Sequence, residues 1–232
     1  MPTALLLGAT GLVGRYTLAR LAGDARWGRV VTLDRRAVPR ASGTHEPHVV
    51  DFRRLGDVDP ALWTCDDVFC ALGTTIKAAG SQAAFRRVDL EIPAEAARLA
   101  RANGATQMLL VSSVGADAGS RIFYSRVKGE AEAAVRDAGF EAVQTVRPSL
   151  LTGDRDSPRA GEQVGEAVLG LLRPLLVGPL RNLRPTAADE VAAALVELAA
   201  AKRPGAHVYD PEAIRAWAAT GPGGRPRTET GP

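Results

Sequence analysis

Three side chains near the middle of the sequence are spaced for proton transfer. An apolar run over 108–111 ends at Ser112 and Ser113, and Tyr124-Ser125-Arg126-Val127-Lys128 opens a stretch of helical period. A Tyr and a Lys four positions apart lie on one face of a helix, so the ammonium sits close to the phenol and favours its ionised form. Such a tyrosine can give a proton to a carbonyl oxygen while hydride arrives from a nicotinamide, and reverse the step for an alcohol. A hydroxyl from Ser113, at the carboxyl end of the preceding run, can hydrogen-bond the reacting oxygen. Alone, a Tyr and Lys pair is usually an amphipathic surface pair and a Ser pair a turn. A second cluster upstream changes that reading.

The upstream cluster is Gly8-Ala9-Thr10-Gly11-Leu12-Val13-Gly14, entered directly from an apolar run and already carrying the start of a helical pattern. Glycines there permit unusual backbone angles, close approach of the main chain to a pyrophosphate, and tight packing of helix on strand. The amides at the helix N-terminus then face the phosphates. The next apolar run ends at Leu33-Asp34-Arg35-Arg36, where a dinucleotide fold reads the adenosine ribose. Asp34 can accept from both ribose hydroxyls, which favours NAD; Arg35 or Arg36 can pair with a 2′-phosphate, which favours NADP. Two further runs end at Val50-Asp51-Phe52 and Ala71-Leu72-Gly73-Thr74-Thr75. On the same sheet edge, Asp51 would reach the adenine amino group and Gly73 would let the backbone pass near the cofactor.

These residues need a scaffold, and the pattern supplies one. Short apolar runs over 4–7, 30–33, 48–50, 68–72, 108–112, 142–147 and 207–209 alternate with helical periods over 12–21, 92–102, 124–138, 162–172 and 187–201. Strands that alternate with helices make an α/β fold with a parallel sheet. Asn103-Gly104 and Gly139 follow helical runs as C-terminal caps do, and Thr186 with Asp189 resembles a capping box. We expect one domain over 1–220, with 154–183 as a small C-terminal cover over the site and 221–232 as a disordered tail poor in apolar surface.

Composition excludes several classes. The 29 basic residues nearly balance 26 acidic ones and form no stripe, which argues against nucleic acid. No basic leader with a long apolar stretch opens the chain, and no apolar run approaches the roughly 20 residues that cross a bilayer. A soluble, cytoplasmic protein is expected, with no membrane partner. Cys65 and Cys70 read as buried free thiols, and His45 and His48 as surface histidines around Pro47. No metal site is expected.

Together these residues resemble the atypical and extended branches of the short-chain dehydrogenase/reductase superfamily. Gly8, Gly11 and Gly14 match its cofactor-binding glycines, and Ser113, Tyr124 and Lys128 its catalytic positions. Cys70 to Thr75, Arg87-Val88-Asp89, Ser112-Ser113 before Gly115-Ala116-Asp117, and Tyr124 through Glu132 look most like the Tat-interacting-protein-type oxidoreductases. The resemblance spans about Thr3 to Tyr209. It implies a Rossmann-like, doubly wound parallel sheet, a Lys that also contacts the nicotinamide ribose, and NADP(H) favoured over NAD(H). Arg35 stands where similar proteins carry a basic residue, although Asp34 precedes it. Arg147-Pro148-Ser149-Leu150 matches the segment that passes beside the nicotinamide.

The function expected is hydride transfer between the nucleotide and a small carbonyl or alcohol substrate, with Tyr124 as acid and base. The alternative is a nucleotide-binding redox sensor with little turnover. Epimerase or dehydratase chemistry uses the same Tyr and Lys, but its larger C-terminal substrate region is not matched by this length. A homodimer is possible, because helix faces that pair in relatives look the same as core faces in sequence.

Overall fold

The computed structural model describes residues 1–153 and 184–221. Strands are β1 (Thr3–Leu7), β2 (Arg29–Asp34), β3 (His45–Val49), β4 (Asp67–Cys70), β5 (Gln107–Val111), β6 (Ala142–Val146), β7 (Leu151–Thr152), β8 (Thr186–Ala187) and β9 (Gly205–Tyr209). Helices are α1 (Leu12–Ala22), α2 (Ile76–Ala79), α3 (Gln82–Arg86), α4 (Ile92–Ala102), α5 (Phe123–Arg136), α6 (Ala188–Ala201) and α7 (Pro211–Ala218), and a π turn over Arg87–Glu91 joins α3 to α4. Seven strands form one parallel sheet in the order β3-β2-β1-β4-β5-β6-β9, while β7 and β8 pair separately. The chain winds outward from β1 to β3, returns to the centre at β4, and winds outward again to β9. This is the expected doubly wound Rossmann-like sheet. The reversal between β1 and β4 is a topological switch point, and it is at the carboxyl ends of the strands beside such a point that these folds bind ligands.

Because successive strand residues point to opposite faces, each strand feeds two cores. Leu6, Val30, Phe69, Leu109 and Val146 pack with α1, α6 and α7 through Val13, Leu21, Val191, Leu195, Ile214 and Trp217. Leu5, Val31, Val68, Met108 and Val143 pack on the other face with Ile92, Ala96 and Ala100 of α4 and Val135 of α5. Burial on both faces is what makes the inner strands β1, β4 and β5 largely apolar, whereas the edge strands β3 and β9 are partly exposed. Helix ends follow their residues: Gly104 and Gly139 take φ of +99° and +86° just past α4 and α5.

The structure departs from expectation in three places. β3 begins at His45 and includes Pro47, because an edge strand can spare an amide. His45 is therefore buried rather than on the surface, with Nε2 3.1 Å from the Thr32 hydroxyl and Nδ1 accepting from the Ala41 amide at 3.0 Å. The capping box expected at α6 does not form: the N-cap is Ala187, which has no side-chain acceptor, so only Glu190 contributes, accepting from the Ala187 amide at 3.3 Å, while the Thr186 hydroxyl accepts from the Ser149 amide. The short helices α2 and α3 and the π turn carry too few turns to show a period, whereas α7, which was not expected, buries Pro211, Ile214 and Trp217 at spacings of three. Both cysteines are free and buried, as expected, and burial pushes their thiols up to about 12 for Cys65 and about 11 for Cys70. The helix expected over 162–172, the cover over 154–183 and the tail beyond Gly221 lie outside the described residues.

Candidate functional site

The glycine turn after β1 is dictated by contacts that leave no room for a side chain. Gly8 has φ of +90°, and a Cβ there would lie 3.0 Å from the Ala71 carbonyl at the end of β4. The Gly8 carbonyl accepts from the Gly11 amide at 3.0 Å. A Cβ on Gly14 would come within 2.0 Å of that same carbonyl, so the first turn of α1 can seat against the strand only with glycine there. Gly11 caps α1 with no side-chain bond, leaving the helix-end amides open to an acceptor. Thr10 is exposed beside this turn, Leu12 is half-buried, and Val13 belongs to the core.

Asp34 ends β2 and faces this turn. Its Oδ1 accepts from the Thr10 amide at 3.3 Å, while its buried Oδ2 has no hydrogen-bond partner among the described residues. Burial pushes the carboxyl up to about 6, against the pull of the Thr10 and Ala9 amides and the Arg36 charge. Arg35 and Arg36 are both exposed. Asp51 is exposed and accepts from the Arg53 amide at 2.9 Å, while Phe52 is buried in the core and its carbonyl accepts from Arg87 at 3.0 Å. Ala71 and Leu72 are half-buried beyond β4, and the Ala71 amide extends the ladder to the Leu7 carbonyl at 3.0 Å.

Tyr124 and Lys128 occupy the first two turns of α5, as their spacing requires. Tyr124 is half-buried, with its ring 5.5 Å from that of Phe85. Lys128 is buried, and its Nζ lies 2.7 Å from the Asp89 carboxylate. A Cβ placed on Gly73 would lie 3.8 Å from that Nζ, which puts the ammonium beside the chain leaving β4. Despite burial, which alone lowers it, Lys128 is held above the usual lysine range by Asp89 and Tyr124.

Ser112 and Ser113 follow β5. The Ser112 amide donates to the Val146 carbonyl at 2.8 Å, and its buried hydroxyl has no partner among the described residues. The Ser113 hydroxyl donates to the Val114 carbonyl at 3.3 Å. The loop that follows lies against α5 at Gly129, where a Cβ would fall 2.1 Å from the Ala118 amide nitrogen. Arg147, just past β6, makes a two-pronged pair with Glu132 of α5, at 2.9 and 2.5 Å. The hydrogen bonds to Glu132 raise the pKa of the Arg147 guanidinium. Pro148 is buried, and its carbonyl accepts from the Val114 amide at 3.1 Å.

In the sequence Asp89 stands out only as part of the family-like stretch Arg87-Val88-Asp89, with no role of its own. Its partner is 39 positions away in the chain (128 − 89), so no local spacing links the two. Glu132 has a visible signal, one helical turn past Lys128, but its pairing with Arg147 is likewise tertiary. No cluster of possible metal ligands occurs among the described residues. None of their helices is long and apolar enough to cross a membrane.

A family model described as NAD(P)H-binding matches residues 8–173. The chain is 36% identical to rat protein HTATIP2 over 173 residues, covering 73% of this chain and 71% of that protein. It is 33% identical over 205 residues to the mitochondrial protein fmp52 of Aspergillus niger, covering 84% and 86%. Among solved structures, MoeE5 in complex with UDP-glucose and NAD matches with a TM-score of 0.67 at 18% identity, covering 97% of this chain and 83% of that one. UDP-glucuronic acid 4-epimerase from Bacillus cereus in complex with NAD matches with a TM-score of 0.64 at 14% identity, covering 90% and 77%.

Two expectations are overturned by these likenesses. NADP(H) was expected over NAD(H), but the similar structures that name a nicotinamide nucleotide hold NAD. At the end of β2 the carboxylate of Asp34 is buried and faces the glycine turn, while both arginines that follow it are exposed to solvent. A cytoplasmic location was also expected, and the fungal relatives are instead named mitochondrial.

Proposed function

The chain belongs to the NAD(P)H-binding family, Rossmann-fold enzymes of the epimerase and oxidoreductase class that act on small organic molecules, and on that premise we propose that it is an NAD-dependent oxidoreductase interconverting a small alcohol and its carbonyl. The observation that carries this reading is the position of Lys128, one helical turn past Tyr124 and beside Gly73, in the same row of strand ends as the glycine turn.

The residues present fit the nucleotide. Gly8 and Gly14 form a turn that any Cβ would obstruct, and the open amides of α1 lie beside it. The unpartnered Oδ2 of Asp34 is an acceptor suited to a ribose hydroxyl. Bound NAD supplies the hydride acceptor for an alcohol, and its reduced form the donor for a carbonyl, so that alcohol and NAD⁺ give carbonyl, NADH and one proton. Tyr124 takes that proton from the alcohol hydroxyl, or returns it to the carbonyl oxygen in the reverse direction. Lys128 favours the ionised phenol by its charge, and Ser113 donates a hydrogen bond to the reacting oxygen.

The test is a fluorescence titration with NADH and NADPH, alongside turnover on a panel of small alcohols and carbonyls. NADH should bind at least about tenfold more tightly than NADPH, since a 2′-phosphate would meet the Asp34 carboxylate. Tyr124→Phe should keep NADH affinity while kcat falls by about 100-fold or more. Preference for NADPH, or full turnover in that variant, would refute the proposal.

A further inference from the structure

Lys128 is buried with a carboxylate that the proposed chemistry does not use. Asp89 is 2% exposed. One of its oxygens lies 2.7 Å from Lys128 Nζ, and the other accepts from the Thr74 amide at 3.0 Å. It is delivered by the π turn between α3 and α4, a rare local geometry that is frequent at functional sites. The carboxylate thus joins three parts of the site: the chain leaving β4, the π turn and α5. Resting on the oxidoreductase reading above, we propose that Asp89 is a positioning residue that keeps Lys128 an ammonium and holds it beside Tyr124.

The surrounding charges leave Asp89 as the counter-ion to Lys128. From α3, Arg86 pairs with Glu130 of α5; from the π turn, Arg87 pairs with Glu91 and with Glu95 of α4. From β4 comes only the Cys70 thiol, which burial keeps protonated, and from α5 the Tyr124 phenol. Without the carboxylate, burial would favour neutral Lys128, because a desolvated ammonium gives up its proton more readily. A neutral Lys128 no longer stabilises a phenolate. The acid and base function of Tyr124 would then fail although Tyr124, Lys128 and the glycine turn were all present.

The experiment compares Asp89→Asn, Asp89→Glu, Lys128→Ala and the Asp89→Asn, Lys128→Ala double variant. Asn keeps the shape and the acceptor for the Thr74 amide while removing the charge. The titration of Tyr124 is read from tyrosinate absorbance as the difference from a matched Tyr124→Phe chain, which separates it from Tyr16 and Tyr209. In Asp89→Asn it should move to higher pH by about one unit or more. On the Lys128→Ala background the same substitution should leave it in place, and Asp89→Glu should stay near the native value. kcat in Asp89→Asn should fall about tenfold or more near neutral pH, with KM for NAD changed less. An unmoved or lowered Tyr124 titration, or a shift that persists without Lys128, would overturn the inference. If the protein turns over no alcohol or carbonyl, the oxidoreductase reading fails on its own and the absorbance titration still decides the role of Asp89.

Discussion

At the scale of single residues, the most informative titrating group is Asp34. Its carboxyl is pushed up to about 6 by burial. Hydrogen bonds donated by ribose hydroxyls favour the charged form, so NAD binding must lower that value and release a proton. Affinity is therefore complete above about pH 6 and is lost as pH falls below it, by up to about tenfold per unit. NADH titrations at pH 7.5 and 5 should show this loss, and Asp34→Asn should bind more weakly at pH 7.5 with most of the difference gone. A native pH dependence that survives in Asp34→Asn would place the titrating group elsewhere. The residues that sequence made legible, Gly8, Gly14, Tyr124 and Lys128, share one property: their meaning lies in local spacing, a turn or one face of a helix. Asp89 with Lys128, and Arg147 with Glu132, meet only through the fold, so no window of sequence shows them. The cofactor preference failed for a related reason, since Asp34 and Arg35 are adjacent in sequence and only burial separates the inward carboxylate from the solvated guanidinium.

At the scale of elements, the site depends on how closely α5 can approach the loop after β5. Gly129 follows Lys128 directly, and a Cβ there would stand 2.1 Å from the Ala118 nitrogen and 2.3 Å from the Asp117 carbonyl carbon. These are backbone atoms, so a methyl group cannot be absorbed by turning a side chain. Gly129→Ala must displace either the loop that begins at Ser113 or the helix that carries Tyr124 and Lys128. The helical preference of alanine, worth about 1 kcal/mol over glycine, works the other way. We expect overpacking to win, with a net loss of about 1–3 kcal/mol in denaturant unfolding and a kcat that falls more than NADH affinity. An alanine variant as stable as the native chain would mean that the loop moves freely. The long elements were legible because each shows several turns of period or a full apolar run, and glycines mark the ends of α4 and α5. Helices α2 and α3, of 4 and 5 residues, offer no such run, and the π turn between α3 and α4 reads in sequence as more helix.

At the scale of the whole molecule, the sheet is polar, with chemistry at one edge and tethering at the other. All seven strands of the main sheet run parallel, so their carboxyl ends gather Gly8, Asp34, Gly73 and Ser113 while their amino ends lie on the far side. On that far side Asp67, fully buried at the start of β4, accepts from Trp27 Nε1 at 2.9 Å and from Lys202 Nζ at 3.1 Å. Arg26 next to Trp27 bridges Asp24 and Glu197, tying α6 to the segment before β2. Burial raises the Asp67 carboxyl despite these donors, and the buried indole of Trp27 needs an acceptor whether or not that acceptor is charged. Lys202 is half exposed and can return to water, which makes its ion pair worth about 1 kcal/mol or less. Asp67→Asn should thus cost about 1 kcal/mol or less, whereas Asp67→Ala should cost about 2–3 kcal/mol by stranding the Trp27 N–H. For a chain of this size that corresponds to a fall in Tm of roughly 5–10 °C. Because the two edges are separated by the full length of the strands, NADH affinity at 25 °C should be unchanged in both variants. A weakened NADH affinity in still-folded Asp67→Ala would show instead that the tethers at the amino ends set the geometry of the site at the carboxyl ends.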